Sequence, residues 1–531
     1  MKQKKKKIVI VGGGIGGMTA AAYLVKNNHD VIIIEKNSRI GGLLGAITKD
    51  GFHFDTGARA LVNSGMVRPI FRDLGIDLEY FENKITISIE DEIFRVDSMD
   101  SLKEYEEILK RLFPENIKDI EILTSEIYDI SIDTEIQYRL DNPNFMDIFG
   151  DIPALFKEII PWLFTFLGTV YRMNRTSGPM ESFFSKFTEN QSLINMLSQF
   201  FFKSTPAFFA MGYFYVYLDY FYPKGGTGSL VQLLKDKYTE LGGTIMLNTR
   251  ITEVSASESV LTDSEGNKYE YDKLIWAADL NALYSQISTD GLSTGKIKKL
   301  SRERDRMLAA KGGESVFCMF MGVDRPPSYF QENGGEHLFY TPDRTGLGEI
   351  NRSQLQDIIE NFSSKSKNEI LDWIDRFCDF NTYEVSVPVL RDSSLAPEGK
   401  TGLMISVLFD YKLAAKIEQA GWHDEFKERM ENRIIGLFSK SRYKDLNDDL
   451  LFRFSSSPLT IQSVSGNSDG AITGWSFEAP VPVQTKILSV NKSVQTPLPD
   501  ILQCGQWTFS PSGVPLAMLT GWYAAKKIGH G

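Results

Sequence analysis

The sequence is poor in the residues that build disulfides and metal sites. Its 531 residues include only three cysteines and five histidines. Cys318, Cys378 and Cys504 are far apart, and no C-x-x-C pair or zinc-like spacing occurs among them. This spacing excludes a disulfide framework and a structural zinc site, and the scattered histidines predict no metal site. A reducing cytoplasm is the simplest setting for such a chain.

The sequence also has no excess of positive charge and no long hydrophobic run. Acidic residues outnumber basic ones by 69 to 58, and the net charge of −11 argues against a nucleic-acid partner. The longest uncharged stretches are Ile159–Tyr171 and Ser204–Leu218. Both contain proline and are shorter than the roughly 18 to 20 residues that span a bilayer. No transmembrane helix is predicted.

The chain begins with a lysine cluster, "MKQKKKK". The apolar residues behind it form a strand pattern that enters a glycine loop, so no signal peptide is predicted. Two interpretations of the lysines stay open. They form a solvated end, or they favour an anionic membrane surface by about 1 kcal/mol per charge near the lipid. The expected localisation is cytoplasmic, with peripheral membrane association as the open alternative.

The strongest motif is the stretch "KKKKIVIVGGGIGGMTAAAYLVKNNHDVIIIEKN". An apolar strand, Ile8–Val11, is followed by glycines in G-x-G-x-x-G spacing and an alanine-rich helix from Met18 to about Asn27. A second strand, Val31–Ile34, then ends at Glu35. These parts fit within about 30 residues, the length of a dinucleotide-binding βαβ unit. The pattern therefore predicts a Rossmann-type unit rather than a plain turn.

Each glycine of the loop has a physical role in that unit. Gly12 permits the tight turn, Gly14 lets the backbone approach a pyrophosphate, and Gly17 lets helix and strand pack closely. The helix N-terminus then faces the phosphates. Glu35 can accept hydrogen bonds from a ribose diol, and its charge would repel a 2′-phosphate.

FAD and NAD both fit this unit, and the rest of the chain distinguishes them. After Glu35 the sequence reads "KNSRIGGLLGAITKDGFHFDTGAR", and near its other end "PDILQCGQWTFSPSGVPLAMLTGWYAAKKI". Between these segments lie "YPKGGTGSLVQLL" and "YDKLIWAAD". The four motifs, in this order, resemble the flavin amine oxidase and phytoene desaturase superfamily. The resemblance implies FAD as the cofactor, bound by segments from both ends of the chain.

The same resemblance implies a set of cofactor-binding residues. The Gly-Gly pair would lie along the FAD pyrophosphate, and the "GVP" loop would cover the ribityl chain and the isoalloxazine. The predicted FAD-binding residues are Gly12, Gly14, Ile15, Gly16, Gly17, Glu35, Lys36, Gly41, Gly42, Leu43, Arg59, Ile251, Ala277, Gly505, Gln506, Gly513, Val514 and Pro515.

The motifs fall into three separated blocks, which predicts a discontinuous nucleotide domain. The predicted fold class is α/β, a Rossmann-type FAD-binding domain (GR2 or amine oxidase-like) interleaved with an α+β substrate domain. Residues 1–90, 222–290 and 485–531 are assigned to the FAD-binding domain. Residues 91–221, mainly helical, and 291–484, an antiparallel sheet backed by helices, are assigned to the substrate domain.

About half of the segment Phe200–Tyr222 is aromatic. A helix buried between two domains accounts for most of these residues. Rigid aromatic walls also hold a long apolar ligand without polar cost. For the segment as a whole we therefore favour an apolar tunnel toward the flavin. Ile159–Tyr171 is a candidate for its mouth or for a surface that dips into lipid.

The branches of this family differ at positions that can be inspected here. Phytoene desaturases and amine oxidases usually have an arginine after the Gly-Gly pair, where this chain has Leu43. Amine oxidases have an acidic residue where this chain has Gln506. Both departures resemble the carotenoid isomerase and retinol saturase branch, whereas "SVPVLRDSSLAPEGKTGL" is similar to bacterial carotenoid desaturases. The branch stays open.

The chemistry shared by these branches is hydride exchange between flavin N5 and a carbon of, or next to, an alkene. The resemblance therefore implies an FAD-dependent oxidoreductase for C–C or C=C bonds of an isoprenoid or polyene, by desaturation, saturation or cis–trans isomerisation. Arg59 and Glu478 are the candidate catalytic side chains, with pyrophosphate binding as the favoured role of Arg59. Asp55 is expected to stabilise the "FDTG" turn.

Two other functions stay open. One is amine oxidation at C–N bonds, for which Trp475 and Trp507 are conceivable members of an aromatic cage beside the flavin. The other is a non-catalytic FAD-containing protein that binds lipid. No second glycine loop follows a strand, so no tightly bound nicotinamide is predicted. The electron acceptor or donor is not identified by the sequence.

Overall fold

The computed structural model describes residues 5–146 and 155–529. Three stretches lie outside the described residues: 1–4, which are part of the lysine cluster, 147–154, inside the assigned segment 91–221, and 530–531, at the end of the segment 485–531. The strands, numbered in chain order, are β1 Lys7–Val11, β2 Asp30–Ile34, β3 Ala46–Lys49, β4 Phe52–Asp55, β5 Leu61–Val62, β6 Tyr80–Glu82, β7 Ile85–Ile89, β8 Glu92–Val96, β9 Tyr220–Pro223, β10 Thr244–Met246, β11 Ile251–Ser255, β12 Val260–Asp263, β13 Lys268–Glu270, β14 Lys273–Trp276, β15 Ile287–Ser288, β16 Ser315–Val323, β17 His337–Thr341, β18 Tyr383–Ser386, β19 Thr401–Phe409, β20 Leu450–Ser456 and β21 Ile501–Gln503.

The α-helices, numbered in the same way, are α1 Ile15–Lys26, α2 Val67–Asp73, α3 Ser101–Leu112, α4 Ile117–Tyr138, α5 Ile160–Arg175, α6 Met180–Phe184, α7 Gln191–Ser198, α8 Ala207–Val216, α9 Ser229–Glu240, α10 Leu280–Gln286, α11 Thr294–Leu308, α12 Pro327–Asn333, α13 Leu355–Glu360, α14 Lys367–Phe380, α15 Tyr411–Gln419, α16 His423–Lys440, α17 Pro458–Ser465, α18 Val490–Ser493 and α19 Val514–Gly529. Short 3₁₀ and π turns connect several of them.

A five-stranded parallel sheet, in the order β10-β2-β1-β14-β21, forms the nucleotide-binding part. The β-branched residues of β1 and β2 are mostly buried, as parallel strands covered on both faces require. Helices α1, α9 and α19 cover one face. Helices α10 and α11 and the small sheet β13-β12-β11-β15 cover the other. The predicted α/β fold with a Rossmann-type sheet is confirmed.

Helix α1 begins at Ile15, earlier than the predicted start at Met18. Gly14 has extended backbone angles and acts as the N-cap, so Gly16 and Gly17 lie in the first turn of the helix. The close contacts that these two glycines make, described below, explain why residues of low helix propensity stand there.

A second, seven-stranded sheet has the order β20-β16-β19-β18-β17-β7-β8. Its neighbouring strands are antiparallel except for the parallel pair β17 and β7. Helices α14, α15 and α16 pack on one face. The opposite face meets the hairpin β3-β4 and the helical region that contains α3, α4 and α8. The predicted domain boundary at residue 90 falls in the turn between β7 and β8, which pair with each other in this second sheet.

Helix α5 lies on the surface of the helical region. Thr169 is the buried residue of α5, which packs against α4 through the Trp162 Nε1 hydrogen bond to Ile136 O, at 2.6 Å. Within residues 5–146 and 155–529, no helix is both long enough and apolar enough to cross a bilayer.

Candidate functional site

The glycine loop at the carboxyl end of β1 has one open side. Gly12 has φ +106°, and a Cβ atom there would lie 2.8 Å from Ala277 O. A Cβ atom on Gly17 would lie 2.1 Å from Gly12 O. A Cβ atom on Gly14 would instead meet nothing within 4 Å. The backbone at Gly14 therefore borders an open space at the N-terminus of α1, where a pyrophosphate would be favoured.

Glu35 is buried at the end of β2, next to this loop. One of its carboxylate oxygens accepts a hydrogen bond from Gly13 N at 2.8 Å, and the other accepts one from Asn37 N at 3.0 Å. Each oxygen keeps a further lone pair that a ribose hydroxyl can use. The neighbouring Lys36 is half-buried, and burial lowers its pKa, with Arg250 adding to the effect.

Segments from the far end of the chain cover the loop directly. A Cβ atom on Gly16 would lie 2.9 Å from Gly505 Cα, and one on Gly521 in α19 would lie 2.3 Å from Gly16 O. Gly505 N donates to Thr520 Oγ1 at 3.0 Å, which ties the end of β21 to α19. These contacts require the glycines, because any side chain would separate α1 from α19.

The other predicted cofactor-binding residues lie around the same space or along the sheet. Gly41 N donates to Gly13 O at 3.0 Å, and a Cβ atom on the exposed Gly42 would lie 3.4 Å from Gly14 Cα. Ile15 and Ile251 are buried, and the half-buried members are Leu43, Ala277, Gln506, Gly513, Val514 and Pro515. Taken together, an open Gly14, an acid at the end of β2 and a covering loop after β21 fit an adenine dinucleotide.

Asp55 stabilises the turn after β4, as expected from the sequence. Its carboxylate accepts hydrogen bonds from Tyr222 Oη at 2.6 Å, from Thr227 N at 2.7 Å and from Thr227 Oγ1 at 3.0 Å. The turn is thereby joined to β9 and to the loop that follows it.

Arg59 is buried against the second sheet. Its Nη1 donates to Asp55 O at 2.5 Å, and its Nη2 lies 2.7 Å from Cys318 Sγ and 3.4 Å from Ser406 Oγ. Both terminal nitrogens are therefore occupied by protein atoms. The predicted contact with the pyrophosphate stays a prediction, and these contacts give it no support.

The remaining sequence candidates have different surroundings. The Glu478 side chain is exposed, and its charge helps to raise the pKa of Glu314, after the larger effect of burial. Trp475 and Trp507 are 1% and 2% exposed and pack edge to face, with ring centroids 4.9 Å apart. An aromatic cage needs two open, facing rings, so this pair does not form one.

The aromatic segment forms α8, a 3₁₀ turn and β9, rather than one long helix. Tyr213, Tyr220 and Phe339 of β17 contact the same cluster but are only half-buried. Burial nevertheless raises the pKa values of both tyrosines. These three rings belong to the aromatic cluster between the aromatic segment and the second sheet, and the tunnel expected from the sequence stays a prediction.

Sequence reasoning missed a polar cluster beside these aromatic rings. Glu384, in the middle of β18, accepts a hydrogen bond from His337 at 3.0 Å and lies 3.4 Å from Ser406 Oγ. His337 in turn bonds Asn83, which bonds Arg391. The only local signal was a glutamate in the short strand pattern "YEVS", whose neighbours Tyr383 and Val385 are both buried.

The described residues hold no group of three or more histidine, cysteine or acidic side chains arranged for a metal ion. All three cysteines are buried free thiols.

Comparison with known proteins shows which family the chain belongs to. A sequence profile of the family described as "Flavin containing amine oxidoreductase" matches residues 15–529. The chain is 22% identical over 424 residues, 76% of each protein, to the 4,4'-diapophytoene desaturase (4,4'-diaponeurosporene-forming) of Staphylococcus aureus strain COL.

Two solved structures share the fold across nearly the whole chain. An oxidoreductase from Methanosarcina mazei has a TM-score of 0.59 at 14% identity and covers 97% of this chain and 99% of its own. Putrescine oxidase bound to putrescine has a TM-score of 0.58 at 14% identity and covers 99% of both chains. At these identities the likeness concerns the fold alone.

Proposed function

Because the chain belongs to the flavin-containing amine oxidoreductase family and has FAD as its cofactor, we propose that it is an oxidoreductase for C–C or C=C bonds of a long apolar isoprenoid or polyene. FAD, when bound, supplies an acceptor or donor of two electrons as a hydride. The residues of this chain bind the apolar substrate, orient one carbon–carbon bond and exclude water.

The aromatic cluster between α8, β9 and the second sheet carries this proposal, as the wall of the cavity that we propose for the substrate. Tyr217 stands between Tyr213 and Tyr220, with ring centroids at 5.5 and 5.8 Å, and also contacts Phe339 at 5.6 Å. Phe200 contacts Phe339 at 6.1 Å from the other side. Rings of this kind hold a hydrocarbon chain through apolar contact.

The desaturase relative supports the same substrate class, although 22% identity does not fix the reaction. Amine oxidation is less well supported, because the indole pair that would form its cage is covered and perpendicular. The electron partner is proposed to be a quinone, oxygen or another diffusible carrier, because the sequence has no second dinucleotide loop.

A polyene of this kind dissolves in membranes, so we also propose that the protein contacts a bilayer peripherally through α5. Large apolar side chains on and just before this helix are exposed, with Phe164 at 73% and Tyr171 at 68%. Such exposure along one surface helix is typical of an interaction surface.

The decisive experiment is an anaerobic titration of the yellow holoprotein with 4,4'-diapophytoene in liposomes, following the visible flavin band. Bleaching by the polyene, or reoxidation of the dithionite-reduced protein by a carotenoid or retinol, is the expected result. Liposomes without polyene are the control. Bleaching by putrescine alone would replace the proposal with amine oxidation, and a flavin inert to every compound would leave a lipid-binding protein.

A further inference from the structure

The face of the second sheet that packs against the aromatic segment carries polar side chains among apolar ones. Cross-strand pairing aligns Ser456, Cys318, Ser406, Glu384 and Phe339 across β20, β16, β19, β18 and β17. The parallel row beside it contains Phe454, Phe320, Met404, Ser386 and His337. Glu384, in the first row, is the one acidic side chain of these two rows.

Glu384 is enclosed by protein and yet partly uncovered. Its side chain is 35% exposed, whereas His337, its partner, is 1% exposed. His337, which hydrogen-bonds to Glu384, stacks with Tyr220 and Phe339 at ring-centroid distances of 6.0 and 5.3 Å, so the carboxylate lies beside the aromatic cluster. A substrate bound against these rings would contact the uncovered side of the carboxylate.

A buried relay holds one oxygen of this carboxylate. Asn83 Nδ2 lies 3.2 Å from His337 Nδ1, and Arg391 Nη1 donates to Asn83 Oδ1 at 2.5 Å. An amide N–H facing Nδ1 leaves the proton on Nε2, which then donates to Glu384 Oε1 at 3.0 Å. Arg391 is itself fixed by Arg59 O at 2.8 Å and by the Tyr222 ring at 3.9 Å.

The second oxygen remains available. Its hydrogen-bonding contact is a long one of 3.4 Å to Ser406 Oγ, and the Ser406 hydroxyl also lies 3.4 Å from Arg59 Nη2. Burial raises the pKa of Glu384, but the His337 hydrogen bond and the charge of Arg59 outweigh burial and hold the pKa below its ordinary value. The carboxylate is thus ionised at neutral pH and can accept a proton.

Resting on the proposed function, we infer that Glu384 is the catalytic base of a dehydrogenation, and that His337 and Asn83 are positioning residues that orient its carboxylate. Formation of a C=C bond from a C–C single bond removes two hydrogens. One leaves with two electrons as a hydride, for which the oxidised flavin is the acceptor. The other leaves as a proton, and Glu384 takes it up while the remaining electron pair forms the new π bond. The proton later passes to solvent, which returns the carboxylate to its starting state.

Two readouts test this role on the holoprotein under anaerobic conditions. In single turnover with 4,4'-diapophytoene, Glu384→Gln is expected to bleach the flavin at least about 100-fold more slowly, the scale of a lost general base. FAD content, thermal midpoint and the flavin spectral change on polyene binding are expected to stay as in the wild type. Glu384→Asp, which keeps the charge but shortens the side chain, is expected to react at an intermediate rate.

The second readout is the time-resolved infrared difference spectrum of the wild-type protein during the same single turnover. A transient C=O stretch of a protonated carboxyl group is expected to rise as the flavin bleaches and to decay as the proton passes to solvent; it should shift in D₂O and be missing in Glu384→Gln. The matched control is Glu336→Gln, an acid next to His337 whose carboxylate accepts from Lys84 N at 3.0 Å. It is expected to leave both the rate and the infrared band unchanged.

Failure of the proposed function and failure of the proposed base would give different results. A wild-type flavin that no polyene bleaches overturns the proposed function and the base with it. A wild-type protein that is bleached without the carboxyl band, or a Glu384→Gln protein that bleaches at the wild-type rate, overturns the base alone. The wild-type spectrum decides the question even where a variant does not fold.

Discussion

Gly14 is the residue of the glycine loop at which a methyl group should test cofactor binding without disturbing the fold. Its backbone angles suit any residue, and the added Cβ would enter the open space at the start of α1. We expect Gly14→Ala to lower FAD affinity by about tenfold or more, equivalent to about 1.4 kcal/mol, while the thermal midpoint of the apoprotein stays unchanged. FAD titration by flavin fluorescence measures the first quantity and calorimetry the second.

Two other glycines provide the comparison. Gly295→Ala, at an exposed position of α11 where a Cβ meets nothing within 4 Å, should change neither quantity except for a small gain in stability. Gly17→Ala, whose Cβ would lie 2.1 Å from Gly12 O, should destabilise the apoprotein itself. Unchanged FAD affinity in Gly14→Ala would show that the pyrophosphate does not pass this residue.

For individual residues, the sequence predicts the contacts that depend on local backbone geometry. The close approaches of Gly12 and Gly17 and the position of Glu35 follow from a motif whose spacing is fixed by one βαβ unit. The relay from Arg391 to Glu384 cannot be predicted in this way, because its members come from three distant segments, at Asn83, at His337 and at 384–391, and meet only when the second sheet forms. The contacts of Arg59 could not be predicted from the sequence for the same reason, because its partners Cys318 and Ser406 lie far away in the sequence, on β16 and β19.

Among the elements, α5 should determine whether the protein binds bilayers. We expect Phe164→Glu to reduce co-sedimentation with anionic liposomes about fivefold or more, because it removes the most exposed apolar side chain of α5 and adds a repelled charge. FAD content and thermal stability should be unchanged, since the side chain is 73% exposed. Liposome sedimentation and calorimetry provide the two measurements.

The matched control is Leu488→Glu, which introduces the same charge at another exposed apolar residue, outside α5. Equal loss of binding in both variants would mean that net charge, and not α5, controls the association.

Element types were easier to predict than element limits. The strand pattern of β1, β2 and β14 and the antiparallel second sheet follow from residue periodicity. The aromatic segment divides into α8 and β9 because β9 pairs with β5 and β6, which lie far away in the sequence. An aromatic run by itself gives no sign of that pairing.

Across the whole molecule, the two sheets are expected to unfold together. The chain passes between them repeatedly. Arg59, in the loop between β4 and β5, contacts Cys318 and Ser406 of the second sheet, and Arg391, after β18, donates to Arg59 O. We predict one calorimetric transition that coincides with loss of far-ultraviolet circular dichroism. FAD at a hundred times its Kd should stabilise this single transition by about 2.7 kcal/mol. Two transitions, of which FAD moves only one, would contradict the prediction.

The glycine loop is covered by β21 and α19, which come much later in the sequence than β1 and α1. This order affects how the protein folds during synthesis. The ribosome releases these two elements long after β1 and α1, so a growing chain cannot retain a flavin. Until β21 arrives, β14 is an uncovered sheet edge that can pair with other chains. Translation products that stop before Ile501 should therefore be colourless and prone to aggregate.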